Sequence, residues 1–206
     1  MRNSVASIIR MARDNEAGAA LVEAALVLPV LLLLVLSVAE ISLYLWNANL
    51  AAKAVQLGLR YTIVSDAVAF GPGLDRDSSD YWNDLTPGQR CVASDRDPCP
   101  RFSVTCSLAG SCSCQGTCRF TPAPARGTPI LHAMRAMLPD LTSANVEISY
   151  TTNGLGYVGR PTPVPVNVTV RLVRYSSPTL FLGDLFGGRL PLIATASAPS
   201  EDLLTR

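Results

Sequence analysis

Three features of this 206-residue chain could do chemistry: a carboxylate in an oily run, a glycine just ahead of it, and six clustered cysteines. From Ala17 to Ala52 only Glu23 and Glu40 are charged, and the sixteen residues Ala24–Ala39 between them carry no charge. A carboxylate at the centre of a membrane helix costs roughly 2.5–3.5 kcal/mol on insertion scales and less near an end, so it normally has a partner. Upstream the chain reads Ala17-Gly18-Ala19-Ala20-Leu21-Val22-Glu23. A cut after Gly18 would give Ala19 a new amino group and make Glu23 the fifth residue of the mature chain. A neighbouring subunit's amine could then neutralise the carboxylate inside the bilayer. The alternative is that Glu23 sits at headgroup level and needs no partner. Both readings stay open at this point.

The element that must position these groups is a helix. Sixteen residues reach about 24 Å, slightly short of a ~30 Å hydrocarbon core, and the apolar flanks complete the span. Arg2, Arg10 and Arg13 precede the run, and no Lys or Arg follows it until Lys53, which argues for a cytoplasmic N-terminus. Ile41, Leu45, Ala48, Ala52, Val55 and Leu59 recur at steps of three and four, so the helix should continue with one apolar stripe. Asn49, Lys53, Gln56 and Arg60 form a neighbouring polar stripe. The result is one helix of about forty residues, apolar first and amphipathic later, with Pro29 inside it. A proline there removes one backbone hydrogen bond and is tolerated in lipid.

A short basic leader, a glycine, and a glutamate at plus five opening a hydrophobic helix resembles a type IV prepilin or pseudopilin. More narrowly, Gly18–Ile41, with Val22-Glu23, Ala25-Leu26-Val27-Leu28-Pro29 and Glu40, resembles the TadE-like family of tight-adherence (type IVc) pilus pseudopilins. Arg60-Tyr61 further on fits the same pattern, while Ala24 and Ile41 stand where an aromatic would follow each glutamate. The resemblance implies cleavage between Gly18 and Ala19 by a prepilin peptidase, with Glu23 and Glu40 serving subunit assembly. It implies a minor pilin in the bacterial inner membrane, single-pass, its N-terminus cytoplasmic and its C-terminal domain periplasmic or carried into a pilus. Its partners would be the peptidase, other pilins and pseudopilins, and further copies of itself. A competing cut by signal peptidase after Ser37-Val38-Ala39 would release a soluble secreted protein. Against it, Glu23 abuts the apolar run and the helical stripe passes Ala39 without a break.

Fourteen of the fifteen prolines lie beyond residue 71, and little periodicity shows from Gly71 to about Arg126. This stretch holds Cys91, Cys99, Cys106, Cys112, Cys114 and Cys118. An even number of cysteines, crowded together outside the cytoplasm, reads as a disulfide framework for a loop with few large apolar residues. Six cysteines allow fifteen connectivities. Cys112 and Cys114 are poorly spaced to pair with each other, so each should reach elsewhere. A thiolate zinc site lacks the paired C-x-x-C spacing, and no metal is expected. Asp75, Asp77, Ser79 and Asp80 faintly resemble a calcium loop, but its twelfth position is Thr86, so a solvated loop is the better reading.

Regular structure returns after residue 126. A helix is expected over Thr128–Leu138, with Thr128 as N-cap and Pro129 at the first position. Val146, Ile148 and Tyr150 alternate on one strand, and Val164, Val166, Val168, Val170 and Leu172 on another, with Pro165 marking its start or edge. Thr179–Phe186 reads as a short helix or turn and Leu190–Ala198 as a third strand. The fold class is α+β: a long transmembrane and amphipathic helix, then a small antiparallel-sheet domain with a disulfide-rich loop. The organisation is 1–18 leader, 19–62 helix, 63–126 Pro/Gly/Cys-rich loop region and 127–206 extracytoplasmic domain.

Charge excludes one class: seventeen basic against sixteen acidic residues, with the signs scattered, give no basic footprint for nucleic acid. The single histidine, His132, reads as structural, and there is no G-x-S-x-G elbow, P-loop or G-x-G-x-x-G. Neither an enzyme nor a cofactor is expected. The function expected is a minor pilin or pseudopilin in assembly of a tight-adherence pilus. The alternative is a tethered or secreted cysteine-rich binding module outside any filament.

Overall fold

The computed structural model describes residues 16–75, 79–92, 98–115, 118–179 and 188–200. Residues 1–15 of the expected leader, Asp77 of the acidic loop, and the expected helix or turn over Thr179–Phe186 from residue 180 on lie outside them. Contacts divide the chain into two compact units, Met1–Tyr44 with Pro178–Gly188, and Leu45–Ser177 with Arg189–Arg206.

Helix α1 (Glu16–Val64) is 49 residues long and passes through Pro29. After it come β1 (Ala69–Phe70), a 3-10 turn (Ser79–Trp82), β2 (Ser103–Ser107), β3 (Ser111–Cys114) and β4 (Thr121–Pro122). Helix α2 (Pro124–Arg135) and a second 3-10 turn (Ser143–Asn145) lead to β5 (Val146–Thr152) and β6 (Val166–Leu172). The described chain closes with β7 (Tyr175–Pro178), β8 (Arg189–Leu192) and β9 (Thr195–Pro199). The expected α+β class holds.

The main sheet has five antiparallel strands in the order β3-β2-β5-β6-β9. Its register is set by alternation, because a one-residue slip would turn every buried side chain to the solvent face. Val146, Ile148 and Tyr150 on β5 face Leu172, Val170 and Val168 on β6, and all six are buried. Val104 and Cys106 of β2 extend the same face. The opposite face is polar and paired across strands. Thr105 and Ser149 hydroxyls stand 2.8 Å apart, Ser103 and Thr151 3.1 Å, and Arg171 lies 3.8 Å from Glu147.

The apolar face joins one core with Ala51, Ala54, Val55 and Leu59 of α1 and with Ile130, Met134 and Leu138 in and just after α2. Gly58 explains how closely these elements approach. A Cβ there would stand 2.7 Å from Met134 Sδ, so only glycine leaves room for that thioether without a shift. Thr62, buried beyond it, donates its hydroxyl to Gly58 O at 2.7 Å.

Four expectations are corrected. Helix α2 begins at Pro124, not after Thr128, and Pro129 lies inside it. Both prolines suit a first helical position. What decides is the entry of the chain, where buried Ala123 donates its N–H to Val68 O at 2.7 Å. The single strand expected over Leu190–Ala198 is two, because β8 pairs with β7 while β9 pairs with β6. The break falls at Ile193, which is 84% exposed. The aperiodic stretch 71–126 contains β2, which pairs on both sides, with β3 and with β5. Its alternation Phe102, Val104, Cys106, Leu108 against Ser103, Thr105, Ser107 was present in the sequence, masked by the cysteines and the short run. Finally, the buried stripe of α1 is rotated from the expected one. Ala51, Ala54, Val55, Leu59 and Thr62 are buried, while Ile41, Leu45 and Ala52 are exposed. Small side chains let the other elements come close, so the packed face follows Ala and Gly rather than bulk.

Candidate functional site

The candidate site is the first part of α1. Gly18 lies inside the helix and is exposed, with nothing within 4 Å of where a Cβ would stand. Glycine lowers helix stability by about 1 kcal/mol relative to alanine. The Gly18–Ala19 bond therefore sits in the first turn of α1, at a residue that weakens the helix. Glu23 follows five residues later, also exposed.

Between the two glutamates the helix is exposed at every position but Leu36 and Ser37, which are half-buried. Leu26, Leu31, Leu32, Leu33, Leu34 and Val35 are all exposed, and four successive residues cover a full turn, so apolar surface faces every direction. Among the described residues one helix is long and apolar enough to cross a membrane, and none of its most apolar window is buried. Hydroxyls in this part are satisfied within the helix. Ser37 Oγ donates to Leu33 O at 2.7 Å and Ser42 Oγ to Val38 O at 2.8 Å. Back-bonding of this kind lets a serine sit in an apolar solvent without an orphaned donor.

The two carboxylates are not equivalent. At about 1.5 Å and 100° per residue, the step from Glu23 to Glu40 is about 25 Å of rise and leaves them roughly 100° apart around the axis. Glu40 is 6% exposed, in contrast to exposed Ile41 and Val38 beside it. Sequence reasoning passed over Trp46, 66% exposed and six residues later, about 1.7 turns. Its signal was available, because tryptophan is enriched where a membrane helix meets water.

The six cysteines form three disulfides between sequence neighbours, Cys91–Cys99, Cys106–Cys112 and Cys114–Cys118. Cys112 and Cys114 each pair elsewhere, as their spacing required. Cys106 and Cys112 are directly opposed on β2 and β3, so that bridge staples an edge hairpin, and Cys106 is fully buried. His132 is exposed on α2. Tyr150 is buried in the sheet, and its Oη accepts the Val68 N–H at 3.1 Å. Burial raises its phenol well above the ordinary value of 10.0, more than that hydrogen bond lowers it.

Sequence reasoning also passed over an open groove of about 490 Å³ at the end of β2, lined by Tyr81, Arg101, Phe102, Arg119 and Phe120 among others. The Phe102 and Phe120 ring centres are 5.0 Å apart, and Tyr81 stands edge-on to Phe102 at 6.2 Å. Ring faces beside guanidinium groups can seat a planar or acidic group.

These features define a class: a long apolar helix, able to span a bilayer, leading into a disulfide-bonded α+β unit. Residues 18–60 match the family described as TadE-like protein, so the leading helix of this chain is similar to that family. The match opens at Gly18 and takes in Glu23 and Glu40. No curated protein and no solved structure matches the chain.

Proposed function

We propose that the protein is a single-pass inner-membrane pseudopilin, or minor pilin, of a tight-adherence pilus, with a structural and not a catalytic role. One observation carries this reading: the TadE-like match begins at Gly18 and lies along a helix whose next charged residue is Glu23. A prepilin peptidase cuts between Gly18 and Ala19 at the cytoplasmic face. The new amine of one subunit pairs with Glu23 of another, which neutralises the carboxylate and sets the axial stagger between helices. Glu40 serves the same assembly further along the helix. The disulfide-bonded domain lies on the periplasmic side and presents its surface to other pilins and to further copies of this chain.

The test is the N-terminus of the protein purified from its native host, read by mass spectrometry. The expected start is Ala19. A chain starting at Met1 removes the processing claim, and one starting at Glu40 makes it a secreted protein. Gly18→Leu is expected to leave a full-length band. Glu23→Ala is expected to insert yet be lost from the assembly, and normal pilus numbers in that variant would remove the pairing role.

A second reading is favoured by the groove beside Phe102. On it, the protein is a membrane-tethered cysteine-rich module that binds a surface ligand outside any filament. An unprocessed chain that never co-purifies with pilins would favour this reading.

A further inference from the structure

The membrane reading leaves open how deep α1 sits, and the two carboxylates depend on that depth. We propose that the bilayer boundary at the C-terminal end of the span lies at Trp46, so that Leu26–Leu45 lie at hydrocarbon depth and Glu40 is the carboxylate among them. This rests on α1 being the membrane span.

Three observations converge on Trp46. Before it, exposed apolar side chains continue past Glu40, through Ile41, Leu43 and Leu45. After it, the exposed side of the helix turns polar, with Asn49, Lys53, Gln56 and Arg60. Trp46 itself is among the most exposed large apolar residues on the helix. An indole has a broad apolar body and one N–H donor, which suits the headgroup level.

The length then fixes the other end. A ~30 Å core takes about 20 residues of straight helix, and counting back from Leu45 reaches Leu26. Glu23 lies three residues outside, about 4.5 Å, where its carboxylate stays hydrated. Glu40 lies six residues inside Trp46, about 9 Å. It is also the less exposed of the two carboxylates, at 6%, while Glu23 is exposed. That difference is what the medium demands. An acid facing hydrocarbon must be screened by protein, whereas one among headgroups need not be. Any pairing of Glu23 with a neighbour's amine then begins at the membrane boundary and not at mid-bilayer.

The experiment uses the full chain in phosphatidylcholine–phosphatidylglycerol vesicles, with nitroxide-bearing lipids labelled either near the headgroup or near the acyl chain end. Trp82 is the other tryptophan, so the emission lost between wild type and Trp46→Phe isolates Trp46. The expected result is a larger loss of that emission to the headgroup-proximal nitroxide than to the chain-end one. A larger loss to the chain-end label means that the helix sits deeper and overturns the assignment. Quenching by aqueous iodide with no response to either lipid label places the boundary short of Trp46 and also overturns it. Flotation of the same vesicles separates the two levels of the argument. Protein that floats but gives either adverse pattern keeps its anchor and loses this register, whereas protein that does not float loses both.

Discussion

Two stretches of one helix follow opposite rules. In Ala20–Trp46 most side chains are apolar and exposed, with Glu40 the one buried position. In Asn47–Val64 the exposed side carries Asn49, Lys53, Gln56 and Arg60 beside Ala52, Tyr61 and Val64, and the buried side is built from Ala51, Ala54, Val55, Gly58, Leu59 and Thr62. Both are α-helical, differing in backbone bonding only at Pro29, so the difference lies in the medium each is made for. A uniformly apolar surface is stable only against lipid or another apolar surface, whereas a one-sided face of small residues is made for packing against protein. Small residues there trade side-chain area for closeness, as Gly58 does against Met134.

The contrast can be broken most directly from the packed side. Val55→Asp puts a carboxylate at a fully buried position, and a buried unpaired charge costs about 3–5 kcal/mol. The expected outcome is loss of the cooperative thermal transition of the α+β unit, followed by near-ultraviolet circular dichroism, with membrane retention unchanged. Leu34→Arg is the converse, at a bare position near the middle of the span. Replacing leucine by arginine there costs about 3–4 kcal/mol on insertion scales. The fraction resisting carbonate extraction from membranes should fall sharply while the unit's melting temperature stays put. If either variant moves both readouts, the two stretches do not answer to separate media.

A smaller effect sharpens the packed side. In Tyr150→Phe the Val68 N–H loses its acceptor, which costs about 1–3 kcal/mol when the donor stays buried. The pH dependence of this loss has a definite sign. Burial holds the Tyr150 phenol protonated above its ordinary value of 10.0, so its contribution is complete below that pH and is lost as pH rises and the unfolded chain releases the proton. The stability gap between wild type and variant, measured by urea unfolding, should therefore narrow above pH 10.0. The smallest effect belongs to Gln56→Arg on the exposed polar stripe. It should change melting temperature and membrane retention by no more than about 0.5 kcal/mol equivalent. A larger change would mean that this stripe is covered.

Much of this architecture was legible in the residues because it depends on local pattern. The uncharged run Ala24–Ala39 required a span-length helix, and the alternation Val166–Leu172 required a strand with one buried face. The cysteine count and crowding pointed to disulfides, and the spacing kept Cys112 from Cys114. The pairing itself was illegible, since fifteen connectivities fit the same spacing and only the β2–β3 register brings Cys106 opposite Cys112. In the candidate site, Gly18 and Glu23 stood out because a cut and a charge are one-dimensional features. Trp46 and the groove beside Phe102 did not, because exposure depends on what the rest of the chain covers.

What the sequence determined alone, then, is every property set by neighbours within a few residues: where apolar helix replaces polar loop, which strand positions share a face, and where glycine precedes an acid. Tertiary structure decided the rest. It chose Pro124 over Pro129 as the start of α2, split Leu190–Ala198 between two sheets at Ile193, and rotated the buried face of α1 onto its small residues. The physical reason is common to all three. Periodicity says which residues can be buried together, but which of them are buried is fixed by the shape and distance of elements from remote parts of the chain.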